Sequence, residues 1–131
     1  MLYTELSIKT NAAECMLDIT SKIQNIIENA EIINGICLVS SLHTTAGITI
    51  NENADVDVQH DILISLNQIV KNLSEFKHCE GNSTSHVKTI LVGNSVQLPI
   101  TNGCLKLGRW QAIYFCEFDG PKIRNVSISI T

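Results

Sequence analysis

Hydrophobic and polar residues alternate along the first twenty positions of the chain. Residues 2–9 and 14–19 alternate around a polar turn at Thr10–Asn11 and are rich in β-branched side chains, which predicts two short strands. The period then changes, because apolar residues recur every three to four positions from Ile19 to Ala30. Ser21 and Gln24 add an S-x-x-Q capping box, so we expect an amphipathic helix over residues 20–30.

The pattern returns to strands and then to a second helix. The apolar run GICLVSSLH, residues 35–43, predicts a buried strand, and the alternating segment AGITINE, residues 46–52, predicts a strand that pairs with it as a hairpin. Acidic and amide residues follow at positions 51–57, where carboxylates complement the positive end of a helix dipole. An apolar stripe then continues, which predicts a second helix that ends near Leu73.

The second half of the chain is dominated by β-rich runs. A polar loop is expected over residues 74–85, followed by strands at 86–93, 95–100, 110–118 and 126–130, with turn-forming clusters between them. Strands with two helices between them predict an α+β fold whose sheets pack into a sandwich. We find no linker or repeat, so residues 1–131 are expected to form a single domain.

The amino-acid composition limits the classes of partner that this chain is expected to bind. Apolar residues make up 44% of the 131 residues and charged residues 17%, a balance typical of a packed globular protein. The net charge of −4, without clustered Lys or Arg, argues against a nucleic-acid partner, and no apolar stretch approaches membrane-spanning length. The five cysteines are scattered, and no signal peptide precedes the first strand, so we expect a reducing, cytoplasmic location without a membrane partner.

Three histidines are candidates for metal chemistry. His43 ends an apolar strand and is followed by Thr44 and Thr45, while His78 and His86 bracket the polar loop. A lone histidine is more often a packed core residue, but three neutral imidazoles with an open position are the ligand set of a catalytic zinc-type site. The seven residues between His78 and His86 do not match the spacing of a helical metal pair, so the prediction depends on the three imidazoles together. From these we predict a divalent metal ion, with zinc the expected one. We interpret the helical His60 as a surface or packing residue.

Carboxylates and cations form the remaining candidates. Strict alternation places Glu117 on the same face of an apolar strand as Gln111. Either the strand emerges into solvent there, or Glu117 is a site residue whose burial requires a cation, a metal or hydrogen-bond donors. Asp57 and Asp61 either hold a cation or form a solvated acidic helix face. The candidate phosphate contacts are Lys88, Lys106 and Arg109. Lys88 is expected on the same strand face as His86.

Three long blocks of the sequence resemble the YjbQ family. They are HTTAGITINENAD from His43, HCEGNSTSHVK from His78 and LPITNGCLKLGRWQAIYFCEFDGP from Leu98, and the resemblance extends over nearly the whole chain. It implies a two-sheet β-sandwich with two helices that assembles as a homotrimer. Val56, where proline is common in the family, and Ser83–Thr84–Ser85, in place of a small-Pro-Ala run, depart from the usual pattern.

The resemblance also implies a polar site and an activity. Members are associated with a secondary thiamine-phosphate synthase activity, which joins a pyrimidine diphosphate to a thiazole phosphate and releases pyrophosphate, with Mg²⁺ possible beside the phosphorylated substrate. The alternative is a non-enzymatic trimer that binds a metal or a small ligand. The implied site comprises His43, His78 and His86 as metal ligands, Glu117, Glu52 and Asp61 as catalytic residues, and Thr44, Thr45, Asn51, Lys88 and Gln111 as substrate contacts, with Asp57 nearby.

Overall fold

Two antiparallel sheets face each other across one hydrophobic core. A computed structural model describes residues 1–131, and the five-stranded sheet has the order β1-β8-β3-β5-β6 while the three-stranded sheet has the order β2-β7-β4. The elements are β1 (Leu2–Lys9), β2 (Cys15–Asp18), α1 (Thr20–Asn29), β3 (Gly35–Ser41), β4 (Ala46–Glu52), α2 (Val56–Ile69), α3 (Ser83–Val92), β5 (Ser95–Thr101), β6 (Cys104–Leu105), β7 (Gln111–Glu117) and β8 (Ile123–Ile130). The predicted α+β class is confirmed, and so are the two facing sheets.

The alternation of β7 divides its side chains between two apolar clusters. Ile113 and Phe115 point into the core between the sheets, which also contains the buried residues of β3, β5 and β8 and two isoleucines of α1. Tyr114 and Cys116 point to the other face, where they pack against side chains of α2 and α3. The period of two therefore predicts correctly which residues of this strand share a face.

The structure has three helices, not the two expected, because residues 83–92 form α3 in place of the predicted strand. The buried side chains of this segment are Ser85, Lys88 and Thr89, a helical spacing, whereas Ile90 and Leu91 are exposed. The helical period is therefore carried by polar residues, and the exposed β-branched residues gave a misleading strand signal.

Three other expectations were wrong. β4 does not pair with β3 in a hairpin, because β3 pairs with β5 and β8, whereas β4 pairs with β7 in the other sheet. The capping box at Ser21 is absent, since α1 begins after Ile19 without a side-chain cap. Helix α2 ends at Ile69, four residues before the expected end, and its N-cap is Asp55, whose carboxylate accepts a hydrogen bond from the Asp57 N–H. None of the helices is both long and apolar enough to cross a membrane.

Candidate functional site

The corner between β3 and β4 carries the chain from one sheet to the other and places His43 and Thr44 at the surface. The hydroxyl of Ser41, the last residue of β3, donates to the carbonyl of Ala46 at 2.6 Å and accepts from the His43 N–H at 3.2 Å. One side chain therefore joins both ends of the corner. This explains why a polar serine is buried at the end of an otherwise apolar strand.

The His43 ring is held from the other side by β8. Its Nε2 accepts a hydrogen bond from the backbone N–H of Asn125 at 2.8 Å. Partial burial, and next the positive charge of Arg124, hold the pKa of His43 below its ordinary value. The ring is therefore kept neutral near pH 7.

Helix α3 brings His86 to the same corner, and the loop before it brings His78. Ser85 fixes the helix against the end of β7, because its hydroxyl donates to the carbonyl of Phe118, the residue that follows this strand, at 2.6 Å. The rings of His78 and His86 meet edge to face with 5.4 Å between their centroids. Two of the three predicted metal ligands are thus neighbours in space.

Two adjoining recesses share His86 and Thr44. The first, of about 440 Å³, lies between the corner and α3, and the second, of about 250 Å³, lies over the loop that follows α2. His43 belongs to the first recess and His78 to the second. The first is lined by His43, Thr44, His86, Thr89, Ile90, Gly93 and Asn94, and the second by Thr44, Thr45, His78, Glu80, Asn82, His86, Asp119 and Lys122.

Asn82 organises the wall of the second recess. Its amide nitrogen donates to the carboxylates of Asp119, at 2.9 Å, and Glu80, at 3.2 Å. Asp119 also pairs with Lys122 at 2.8 Å, and that hydrogen bond is the main cause of the lowered pKa of Asp119. The amide oxygen of Asn82 is buried and has no hydrogen-bond partner. Such an oxygen is costly unless it accepts a proton donor or contacts a cation.

The donors around these recesses are of the type that a borderline divalent ion binds, but they are not assembled into a coordination shell. His78, His86 and Glu80 line a common recess, and Asn82, whose unpartnered oxygen is buried, forms part of its wall. No three His, Cys, Asp or Glu side chains stand in metal-binding geometry. His43 does not complete the set, since its Nε2 is already bonded to Asn125.

Glu117 is fully buried and paired, which resolves the alternatives left open by its sequence. One carboxylate oxygen accepts from Thr10 at 2.7 Å and from Arg124 Nε at 2.9 Å, and the other accepts from Arg124 Nη2 and from the Asp119 N–H. Arg124 Nη2 also donates to the Thr45 hydroxyl at 2.9 Å. Burial alone would raise the pKa of Glu117, but these hydrogen bonds outweigh it and hold the pKa below the ordinary value.

Lys88 is also satisfied within the protein. It lies on α3 and not on a strand, it is 4% exposed, and its ammonium donates to Glu14 at 2.7 Å and to Asn67 at 2.6 Å. The proposed phosphate contact would have to replace these partners. In this structure Lys88 joins α3 to α2 and to the segment before β2.

The other predicted site residues lie at the far end of the β4–β7 ladder. Ala46 pairs with Glu117 at one end, and Glu52 pairs with Gln111 at the other, so six residues or roughly 20 Å separate the ends. Gln111 accepts a hydrogen bond from the Gly108 N–H at 2.8 Å. Asn51, Asp57 and Asp61 are exposed near this end, with Asp61 beside His60. Within one chain, the predicted site is therefore two separate groups.

Sequence reasoning missed several residues of the first group. Arg124 could have been found, because it shares the buried face of β8 with Val126 and Ile128, where an arginine needs a buried anion. Glu80, Asn82 and Lys122 lie in irregular segments, where no periodicity indicates which side chains face the recess.

The family model and the related sequences agree on one family. The family model described as "UPF0047 protein YjbQ-like" matches residues 4–131. A UPF0047 protein of Methanocaldococcus jannaschii is 46% identical over 94% of this chain and 89% of its own length. The UPF0047 protein YugU of Bacillus subtilis is 44% identical over 95% of this chain and 96% of its own.

Solved structures agree with the sequence relatives. A crystal structure of a YjbQ/UPF0047 family protein from Clostridium acetobutylicum superposes with a TM-score of 0.94 at 47% identity, covering 98% of this chain and 99% of that chain. A YbjQ-like protein of unknown function from Sulfolobus solfataricus superposes with a TM-score of 0.92 at 30% identity, covering 98% and 95%.

Proposed function

The chain belongs to the YjbQ-like UPF0047 family, and we propose that it binds a divalent transition-metal ion together with a small phosphorylated compound where the two recesses meet. The observation that carries this proposal is the contact of the His78 and His86 rings beside Thr44, with the Glu80 carboxylate lining the same recess. Two imidazoles and a carboxylate favour a cation, and the neighbouring hydroxyls and Lys122 favour an oxyanion.

In this proposal His78 and His86 are the residues that would hold the ion. The ion, when bound, would supply positive charge that stabilises a phosphate or a departing pyrophosphate. Thr44 donates a hydrogen bond to the phosphate, and Lys122, whose ammonium pairs only with the Asp119 carboxylate, adds a second cation at the rim.

Synthesis of thiamine phosphate is the candidate reaction. The pyrimidine diphosphate would lose pyrophosphate as its carbon forms a bond to the ring nitrogen of the thiazole phosphate. Such a reaction requires charge stabilisation at the leaving group more than it requires a base. Glu117 suits a supporting role here, because both of its oxygens already accept hydrogen bonds from Arg124 and other donors.

The metal proposal is tested by measuring zinc content after dialysis of the untagged chain. His78→Ala and His86→Ala should each lower the bound zinc from about one ion per chain to a small fraction, because each removes one of two imidazole ligands. His60→Ala is the matched control, since His60 is an exposed histidine of α2. Undiminished zinc in both variants would mean that these histidines are not ligands.

The reaction is tested on the same proteins with the two thiamine precursors. Metal-dependent product formation by the wild type and its loss in His86→Ala, but not in His60→Ala, would support the synthase. The same rate in all proteins would instead indicate a contaminating enzyme.

A non-enzymatic, metal-binding role is the second candidate. It is favoured by one observation, namely that Glu117, which was predicted to be catalytic, is fully engaged within the protein by Arg124, Thr10 and the Asp119 N–H. Stoichiometric zinc without product in any metal would favour this role. For either function we expect a cytoplasmic homotrimer, in keeping with five free cysteines and with the resemblance from which the trimer was predicted.

A further inference from the structure

The two nitrogens of the His43 ring have different surroundings. Nε2 lies 2.8 Å from the backbone nitrogen of Asn125, and Nδ1 has no partner within the protein. A backbone N–H can only donate, so Nε2 must accept with its lone pair. A neutral imidazole that accepts at Nε2 carries its proton at Nδ1. Neither nitrogen then has a lone pair available for a metal ion.

The donor that sets this tautomer is itself held in place. Asn125 follows Arg124, whose buried guanidinium bonds to both oxygens of Glu117 and to the Thr45 hydroxyl. On the other side, Ser41 accepts from the His43 N–H. The backbone of His43 and the N–H facing its ring are thus fixed by separate contacts, one from the corner and one from β8.

The recess that His43 lines has the chemistry of an oxyanion site. Its walls contain no carboxylate, so an anion entering it meets no direct repulsion from the lining side chains. Thr89 uses its hydroxyl to donate to the Ser85 carbonyl at 2.9 Å and is therefore occupied. The donors that stay free are the Thr44 hydroxyl, the Asn94 amide and the Nδ1–H of His43.

We propose that His43 binds an anionic oxygen of the ligand as an Nδ1–H hydrogen-bond donor and is not a metal ligand. This departs from the expectation that three histidines share one ion. The nature of the ligand, a small phosphorylated compound, rests on the proposed function, whereas the tautomer rests on the Asn125 contact alone.

The tautomer can be observed directly in the wild-type chain. Long-range proton–nitrogen correlation spectra of ¹⁵N-labelled protein distinguish a protonated from an unprotonated ring nitrogen, and the signals that disappear in His43→Gln belong to His43. The expected result is a protonated Nδ1 and an unprotonated Nε2. A protonated Nε2 would overturn the proposal.

Binding is tested with two variants that separate the ring nitrogens. His43→Asn keeps an amide N–H close to the Nδ1 position, whereas His43→Gln places its amide near the Nε2 position. Zinc content should equal that of the wild type in both. The affinity of the zinc-loaded protein for pyrophosphate should stay within about threefold in His43→Asn and fall about tenfold or more in His43→Gln, the loss expected for one hydrogen bond to a charged group.

The outcomes separate this proposal from the one on which it rests. Loss of zinc in either variant would make His43 a metal ligand and overturn the donor role. Equal pyrophosphate affinity in the wild type, His43→Asn and His43→Gln would also overturn it while leaving the proposed function intact. A wild type that binds neither zinc nor pyrophosphate would remove the proposed function, and the donor role with it. His60→Gln, on an exposed helix face, serves as the unchanged control.

Discussion

At the scale of single residues, Glu117 is the least exposed charged residue in the molecule. It is 0% exposed, and its carboxylate is compensated by the Arg124 guanidinium, the Thr10 hydroxyl and the Asp119 N–H. Alternation along β7 placed it on the same face as Ile113 and Phe115 but left open whether it was buried or emerged into solvent, and the structure shows it buried. The sequence could not show that its partner lies seven residues later on β8, because the pairing depends on how the two sheets face each other.

We expect Glu117→Gln to destabilise the fold by about 3–5 kcal/mol, because the substitution leaves Arg124 buried without its counter-ion. The pKa of Glu117 is lowered in the folded state, so its contribution is present above the unfolded carboxyl pKa and disappears as the pH falls through the folded one. The wild type should therefore lose stability from about pH 5 downwards, more steeply than the variant.

Urea denaturation at pH 7 and at several pH values down to about 3 measures both effects. Glu5→Gln is the matched control, since Glu5 lies on an exposed face of β1 and should change stability by less than about 0.5 kcal/mol. If Glu117→Gln kept the wild-type midpoint and pH profile, the ion pair would not contribute to stability.

At the scale of elements, the sequence predicted those segments whose buried residues are apolar. Helix α1 and strand β7 were found because isoleucine and phenylalanine mark their inner faces. Helix α3 was missed because its inner face carries Ser85, Lys88 and Thr89. The β3–β4 corner was missed for a different reason, since two consecutive strands resemble a hairpin unless the sheet to which each belongs is known.

We expect Lys88→Met to lower the free energy of unfolding by about 1–3 kcal/mol, because it keeps the apolar stem but removes the charged hydrogen bonds to Glu14 and Asn67. Zinc content and pyrophosphate affinity should stay unchanged if Lys88 only anchors α3. Lys77→Met, in the exposed loop, is the control for loss of charge. If the variant had normal stability but no longer bound pyrophosphate, Lys88 would be a substrate contact.

At the scale of the whole molecule, the resemblance implied one polar site, whereas a single chain presents two groups. Glu52 and Gln111 stand at the end of the β4–β7 ladder opposite Ala46 and Glu117. The sequence blocks could not reveal this separation, because a strand of seven residues is short in sequence and spans roughly 20 Å in space. A neighbouring subunit is one arrangement that would bring the second group of one chain to the recesses of another.

Apolar side chains remain exposed on both sides of the sandwich. Ile69 of α2 and Ile90 of α3 are 70% and 79% exposed, and Ile36 and Leu38 lie on the outer face of the five-stranded sheet. Exposed apolar surface of this extent is typical of a face that another chain covers. The sheet face and the helix face are therefore the two candidate contacts for the homotrimer expected from the resemblance.

We therefore expect light scattering to give three times the 14.4 kDa mass of the chain over a wide range of concentration. Leu38→Glu and Ile69→Glu place a charge on the sheet face and on the helix face respectively, and the substitution that lies in the contact should lower the mass, because a buried unpaired carboxylate opposes association. If dissociation also abolishes pyrophosphate binding, the neighbouring subunit completes the site. A monomeric mass at every concentration would contradict the assembly, and the Glu52–Gln111 group would then stay remote from the recesses.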